Sequence, residues 1–214
     1  MTPTTAYLLG ELINEAGIPP GVVNIVFGYG ATAGSAIVSH KNIPLISFTG
    51  GTETGEKISI LAAPQHKKVS LELGGKNPNI IFADCNLEEA VSTSVLSSFA
   101  NQGEICLCGS RILVQEEIFD QFVSQFVEAT KKFKVGDPMD PSTRMGALIS
   151  DQHLKKVQKY VEIAKEEGGT IQLGGDSPSM EGDFKNGYWV FYLYFLIIYF
   201  IFYFLFYFLL FIYF

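Results

Sequence analysis

Apolar positions along the first stretch of the chain recur with the period of a helix. Leu8, Leu9, Leu12, Ile13 and Ala16 share one face of "MTPTTAYLLGELINEAG", which predicts an amphipathic helix that Gly17 stops. Thr2 is placed to cap it, with Pro3 at the first helical position, where a missing N–H costs nothing. "GVVNIVF" is apolar without a break, the pattern of a parallel-sheet strand covered on both faces. A glycine-rich turn into a helix follows ("GYGATAGSAIVSH"), then the strand "PLISF", the turn "TGGTETG", a helix to about Ala63, and the strand "KKVSLEL". Strand and helix in alternation predict a doubly wound α/β sheet.

The rhythm continues past Gly75. "NIIFA" reads as a strand, and Asn86 can cap the next helix with Glu89 at the reciprocal capping-box position. Ala90, Val91, Val95 and Phe99 face inward on that helix, which leads to "NQGEIC". "RILVQ" is a strand. Ile118, Phe119, Phe122, Val123, Phe126 and Val127 form the stripe of a further helix. "DPSTRMGALIS" reads as a loop, "DQHLKKVQKYVEIAKEEGG" as a helix and "TIQLGG" as a short strand.

Composition divides the chain in two. Residues 1–187 carry every charge and read as an acidic, soluble α/β protein, whereas 16 of the 27 residues from Tyr188 to Phe214 are Phe or Tyr. A net charge of -7 with no Lys/Arg cluster argues against nucleic acid as a partner. Three cysteines and no recognisable signal peptide suggest free thiols in a reducing, cytoplasmic setting.

Three motifs can carry chemistry. "GYGATAG" sets Gly28, Gly30 and Gly34 between a strand and a helix, the context of a dinucleotide site but one residue off the usual glycine spacing. In "SFTGGTETG", Gly50 and Gly55 bracket a turn that opens a helix, whose first N–H groups can face a pyrophosphate. Taken alone, either segment is more simply explained as an ordinary structural turn. "SLELGGKNP" ends an apolar strand at Glu72, near where open α/β sheets place ligands. Burial there would tune this carboxylate toward a general base; an outward-facing strand Glu is the bland reading.

Cys106 and Cys108 are one residue apart. No His with ligand spacing accompanies them, since His40, His66 and His153 are scattered, so no metal site is expected. A disulfide across one residue would be strained. One nucleophile beside a bystander, or two small buried residues, are the readings left.

"VSLELGGKNP" and "FANQGEIC", with Glu72 and Cys106 34 residues apart, resemble the two active-site signatures of the aldehyde dehydrogenase superfamily. "PPGVVNIVFGYG" and "SFTGGTETG" resemble that family's cofactor-domain segments, in the same order, and the resemblance runs to about residue 187. Within the superfamily, "NQGEICLCGSRILVQEEIFDQFV" looks closest to the 2-aminomuconic semialdehyde dehydrogenase branch, including Glu104 where many relatives have Gln.

The resemblance implies a partial Rossmann-type cofactor domain (1–74), then part of an α/β catalytic domain (75–187). It implies oxidation of a small-molecule aldehyde with NAD, NADP being left open. Cys106 is then the nucleophile and Cys108 the bystander; Glu72 activates the hydrolytic water. Gly50, Gly51, Thr52 and Gly55 lie along the pyrophosphate, Gly28 toward the adenine and Leu73 toward the nicotinamide. Position 51 is often Ser in relatives. The family is homo-oligomeric, and its ribose-binding Lys-x-x-Glu, its oxyanion-hole Asn, its assembly strand and its later nicotinamide-ribose Glu have no counterpart here. On that ground the chain is expected to turn over weakly or not at all, an absent oxyanion donor alone giving a loss of ~100–1000-fold.

Residues 188–214 depart from the family. As a transmembrane helix they are long enough, since about 20 apolar residues span a bilayer, although aromatic residues normally gather at the interfaces. As core they would have no partner. Translated non-coding or low-complexity DNA of T- and A-rich codons is the favoured expectation, with a membrane-tethered, non-catalytic isoform as the alternative.

Overall fold

The computed structural model describes residues 2–190 and the backbone of 194–196 and 206–210. The chain separates into two compact units, Met1–Gly74 and Gly75–Phe214.

In the first unit, α1 (Thr4–Glu15) ends where Gly17 turns left-handed (φ +73°), which lets the Ile18 N–H reach back to the Ile13 carbonyl at 3.3 Å. Its start lies one residue later than expected. Pro3, not Thr2, holds the cap position, and its carbonyl accepts the Tyr7 N–H at 2.9 Å. The expected apolar face of α1 is not covered, and Leu8, Leu9 and Leu12 are exposed. The strand expected at "GVVNIVF" also fails to form: no ladder includes it, and Val22 and Val26 are 67% and 64% exposed. Apolar content favours a strand, but hydrogen bonds to a neighbouring strand create it, and among the described residues this segment has no such neighbour.

What does form is a parallel pair, β1 (Leu45–Thr49) beside β2 (Lys68–Glu72), with Thr49 opposite Glu72. The crossover between them is α3 (Thr52–Ala62). A π-helical turn at Gly30–Gly34 leads into the short α2 (Ser35–Ser39). Val38, Ile46, Ile58 and Ala62 close a small core with Ile43, Phe48 and Leu71 at its margin.

In the second unit, β3 (Pro78–Ile81) runs parallel to β4 (Arg111–Gln115), and the crossover is α4 (Leu87–Phe99). Asn86 caps α4 as expected, its Oδ1 accepting the Glu89 N–H at 3.3 Å. The phenylalanine stripe falls on α5 (Phe119–Lys131), whose Phe119, Phe122 and Phe126 are buried with Val91, Val95, Phe99, Ile112 and Val114. Phe122 and Phe126 stack at 5.6 Å between centroids, and Phe126 meets Phe99 at 5.9 Å. Ser150 caps α6 (Asp151–Glu166) by accepting the His153 N–H at 3.2 Å. The strand β5 (Thr170–Leu173) follows.

The aromatic segment corrects one expectation, that it would have no partner; the membrane-anchor and non-coding readings fall mostly on residues outside the described ones. Where its backbone is described it is extended, as β6 (Tyr194–Leu196) and β7 (Phe206–Leu210), in a sheet ordered β3-β4-β7-β6-β5 with every contact of β6 and β7 antiparallel. It therefore has strand partners, because β4 and β5 each offer an edge that would otherwise lack a ladder. Among the described residues no helix is long and apolar enough to cross a membrane. Trp189 and Val190, which precede these strands, are buried, and the Trp189 indole donates to the Phe184 carbonyl at 2.8 Å.

Candidate active site

The first unit gathers six of the residues singled out in the sequence at the C-terminal ends of β1 and β2. Gly50 follows β1 directly, and its N–H donates to the Glu72 carbonyl at 2.9 Å, so turn and strand end are tied together. Gly51 is the N-cap of α3, with extended backbone and no capping side chain, so no cap side chain stands in front of the first turn of α3. A Cβ built on Gly51 would meet nothing within 4 Å, so the approach to the N–H groups of that turn is clear.

Gly55 answers to a different constraint. It is buried one turn into α3, and a Cβ there would come 2.6 Å from Leu73 Cδ2. The missing methyl is what lets Leu73 lie against α3. Gly50 is comparable, its Cβ position being 2.5 Å from the Phe48 ring. Gly28 lies elsewhere in this unit, before the π-helical turn, where a Cβ would meet Ala33 Cβ at 2.6 Å; close packing onto that turn accounts for glycine here. Glu72 is exposed, so the burial expected to tune its carboxylate is not found.

In the second unit the two cysteines part company. Cys106 is exposed and Cys108 is 3% exposed, and neither is in a disulfide. No group of His, Cys, Asp and Glu among the described residues could hold a metal ion. The loop reaches Cys106 through three successive left-handed residues, Asn101 (φ +50°), Gln102 (φ +58°) and Gly103 (φ +75°). Two of them carry side chains, and each such conformation costs on the order of 1–3 kcal/mol, a cost tolerated where surrounding bonds over-determine the backbone.

Those bonds are present. The Glu104 N–H donates to Asn101 O at 2.9 Å and the Cys108 N–H to Ile105 O at 3.0 Å. The Gln102 amide donates to Ala147 O at 3.3 Å, and Glu104 Oε1 lies 2.6 Å from His153 Nε2 in the first turn of α6. Asn77 Nδ2 donates to the carbonyls of Cys106 and Cys108 at 2.6 and 3.0 Å. Gly109 packs on α4, its N–H reaching Ser97 Oγ at 3.0 Å while its carbonyl accepts from Ser98 Oγ at 3.1 Å. Among the described residues nothing accepts from the Cys106 N–H, so a donor is left open beside the thiol.

The sequence reading passed over Asn77 and Ser97, and considered His153 only as a metal ligand. Only Asn77 carried a local cue, an amide between two glycines and a proline; the other two reach the loop through the fold. Next to Asn77, desolvation of the Lys76 ammonium, with the Lys156 charge nearby, holds its amine below the ordinary lysine value.

The profile of the Aldehyde dehydrogenase family matches residues 1–191. The chain belongs to the aldehyde dehydrogenase family. It is 60% identical over 174 residues to 2-aminomuconic semialdehyde dehydrogenase of Mus musculus, covering 81% of this chain and 36% of that protein. Its fold is matched by betaine aldehyde dehydrogenase of Staphylococcus aureus in complex with NAD+, with a TM-score of 0.85, 42% identity, and 90% of this chain and 38% of that one covered. HpcC of Thermus thermophilus matches with a TM-score of 0.87 at 42% identity, covering 91% and 38%. The chain thus spans less than two-fifths of the length of these relatives, and its fold is the aldehyde dehydrogenase α/β fold over that span.

Proposed function

We propose that this aldehyde dehydrogenase chain carries the nucleophile, the base and the pyrophosphate-facing turn of an NAD-dependent oxidation of an aldehyde to a carboxylic acid. The observation that carries the reading is the contrast at the cysteines: Cys106 is exposed on a strained, pinned loop with an open N–H beside it, while Cys108 is buried. The Cys106 thiolate adds to the carbonyl carbon, giving a thiohemiacetal whose oxyanion the Cys106 N–H can meet. Loss of hydride from that carbon leaves a thioester on Cys106. Glu72 takes a proton from water, the resulting hydroxide attacks the thioester, and the acid leaves with the thiolate restored.

The residues present suit the dinucleotide. The uncapped first turn of α3, with Gly51 open in front of it, offers backbone N–H groups and the positive end of a helix to a pyrophosphate. Gly50, Thr52 and Gly55 complete that turn, Leu73 is held against it for the nicotinamide side, and Gly28 falls to the adenine side. When bound, NAD accepts the hydride. The level of identity to the Mus musculus protein supports a semialdehyde as substrate. Three free thiols, one of them the nucleophile, suit a reducing cytoplasmic setting.

Because turnover by this chain is expected to be weak, the test is single-turnover NADH formation by the purified chain with a semialdehyde and NAD+, beside Cys106→Ser and Cys108→Ser. Activity lost in the first variant and kept in the second supports the assignment. Activity that survives Cys106→Ser ends it.

A further inference from the structure

Asn77 stands just before β3, 29 and 31 residues from the two carbonyls that it holds. Its own carbonyl accepts the Arg111 N–H at 3.2 Å, which ties its backbone to the first residue of β4. Pro78 follows and restricts it to extended conformations. The anchor is therefore rigid, and it belongs to the sheet rather than to the loop.

Cys108 is buried, with its N–H bonded to Ile105 O and its carbonyl accepting from Ser110 N–H at 2.9 Å, but at Cys106 little else fixes the segment. Between the two cysteines, Leu107 is 82% exposed and contributes no packing. Among the described residues the bond from Asn77 is the hydrogen bond that Cys106 makes. Holding the Cys106 carbonyl fixes the peptide plane that leaves this residue, and so narrows the directions open to its Cα–Cβ bond. Bridging two carbonyls from one short side chain requires two N–H donors on one atom. Asn has them; Asp at neutral pH is acceptor-only and Ser has a single donor.

We infer that Asn77 is a positioning residue for the Cys106 thiol, clamping the Cys106 and Cys108 carbonyls so that one sulfur is presented and the other is withheld. The inference rests on the reading of Cys106 as the nucleophile, but its test does not need turnover.

The full chain and its Asn77→Asp, Asn77→Ser and Asn77→Ala variants are labelled with dipyridyl disulfide, which reacts with thiols in acid as well as at neutrality. Mass spectrometry of peptides gives the share of label on Cys106 and on Cys108, and Trp189 fluorescence in urea confirms that each variant is folded. At neutral pH Asn77→Asp sets a carboxylate against two carbonyls, and the Cys106-to-Cys108 labelling ratio falls by about fivefold, the factor that one ordinary hydrogen bond is worth. As the pH drops and the new carboxyl gains a proton, it can donate one bond, and the ratio climbs part of the way back. Asn77→Ala shows the fall at every pH, and Asn77→Ser lies between.

A side chain that merely fills space predicts otherwise, since Asp has the shape of Asn. A wild-type ratio in Asn77→Asp at neutral pH overturns the inference, and so does a fall that acid does not relieve. Should Asn77→Asp not fold, equal ratios in wild type, Asn77→Ser and Asn77→Ala overturn it as well. If Cys106→Ser abolishes NADH formation while these ratios stay fixed, the positioning role alone is lost. If the ratios shift as stated while Cys106→Ser still turns over, the catalytic assignment fails and the clamp stands.

Discussion

Gly109→Ala probes how tightly the cysteine loop is set on α4. An ideal Cβ at position 109 lies 2.7 Å from Ser97 Oγ and 3.4 Å from Asn79 Cβ, and the first separation is too short for any real contact. Ser97 must rotate, which breaks the 3.0 Å bond that its hydroxyl accepts from the Gly109 N–H, although the Ser97 carbonyl still accepts that N–H at 3.2 Å. The lost bond is worth about 0.5–1.5 kcal/mol, and accommodating the methyl in a packed site costs about 1–3 kcal/mol. Against this, Ala restricts the unfolded chain and returns about 0.4–1 kcal/mol. The balance is a destabilisation of about 2 kcal/mol. Ser97→Ala alone costs about 0.5–1 kcal/mol, because it gives up the hydroxyl but leaves the carbonyl bond. In the double variant the new methyl occupies the space the hydroxyl vacated, so the two changes couple favourably by at least about 1 kcal/mol. The assay is urea unfolding followed by Trp189, the single tryptophan of the chain, which is buried in the same unit as the loop. Strictly additive costs, or a neutral Gly109→Ala, would refute the claim that close approach to Ser97 is why position 109 is glycine.

Further expectations follow from the core, the caps and the charges. Phe122→Ala and Phe126→Ala each lower unfolding free energy by about 3–5 kcal/mol, and the double change falls short of the sum by about 0.5–1.5 kcal/mol because the rings stack, as urea melts of the three variants will show. Asn86→Ala removes the N-cap of α4 and costs about 1 kcal/mol by the same measurement. Acetic anhydride at mildly alkaline pH labels Lys76 ahead of Lys57 and Lys155: desolvation lowers the amine of Lys76, while hydrogen bonds to Glu53 and Asp151 raise the other two, which peptide mapping will order. Because the folded value of Lys76 lies below that of the unfolded chain, its ammonium opposes folding at neutral pH. That opposition fades as pH rises through the folded value, so Lys76→Met flattens the alkaline limb of a stability–pH curve.

Local pattern located most elements because each carries its own signal. The capping Asn86 and the phenylalanine stripe 119–126 sit at sequence positions where one helix turn decides the outcome. "GVVNIVF" shows the limit: its composition is that of a strand, yet a strand exists only through a neighbour, and pattern does not reveal whether one is at hand. The aromatic segment shows the opposite limit, since an unbroken apolar run does not say which partners it will find, and its described stretches pair with the edges of β4 and β5.

At the site, the sequence motifs pointed to Cys106, Glu72 and the 50–55 turn. The residues alone left two readings of the pair open, and only the folded loop exposes Cys106 while burying Cys108. Nor did they show the bonds from Asn77, Ser97 and His153, three residues drawn from three different elements and joined to the loop only by folding.

The most direct test of the central claim is the intact mass, with peptide mapping, of Glu72→Gln after a brief incubation with a semialdehyde and NAD+ followed by an acid quench. Blocking the hydrolytic step while leaving the thiol free predicts an acyl group retained on Cys106, with NADH formed in proportion to it. An acyl group on Cys85 or Cys108 instead, or NADH without any retained acyl group, would contradict the account.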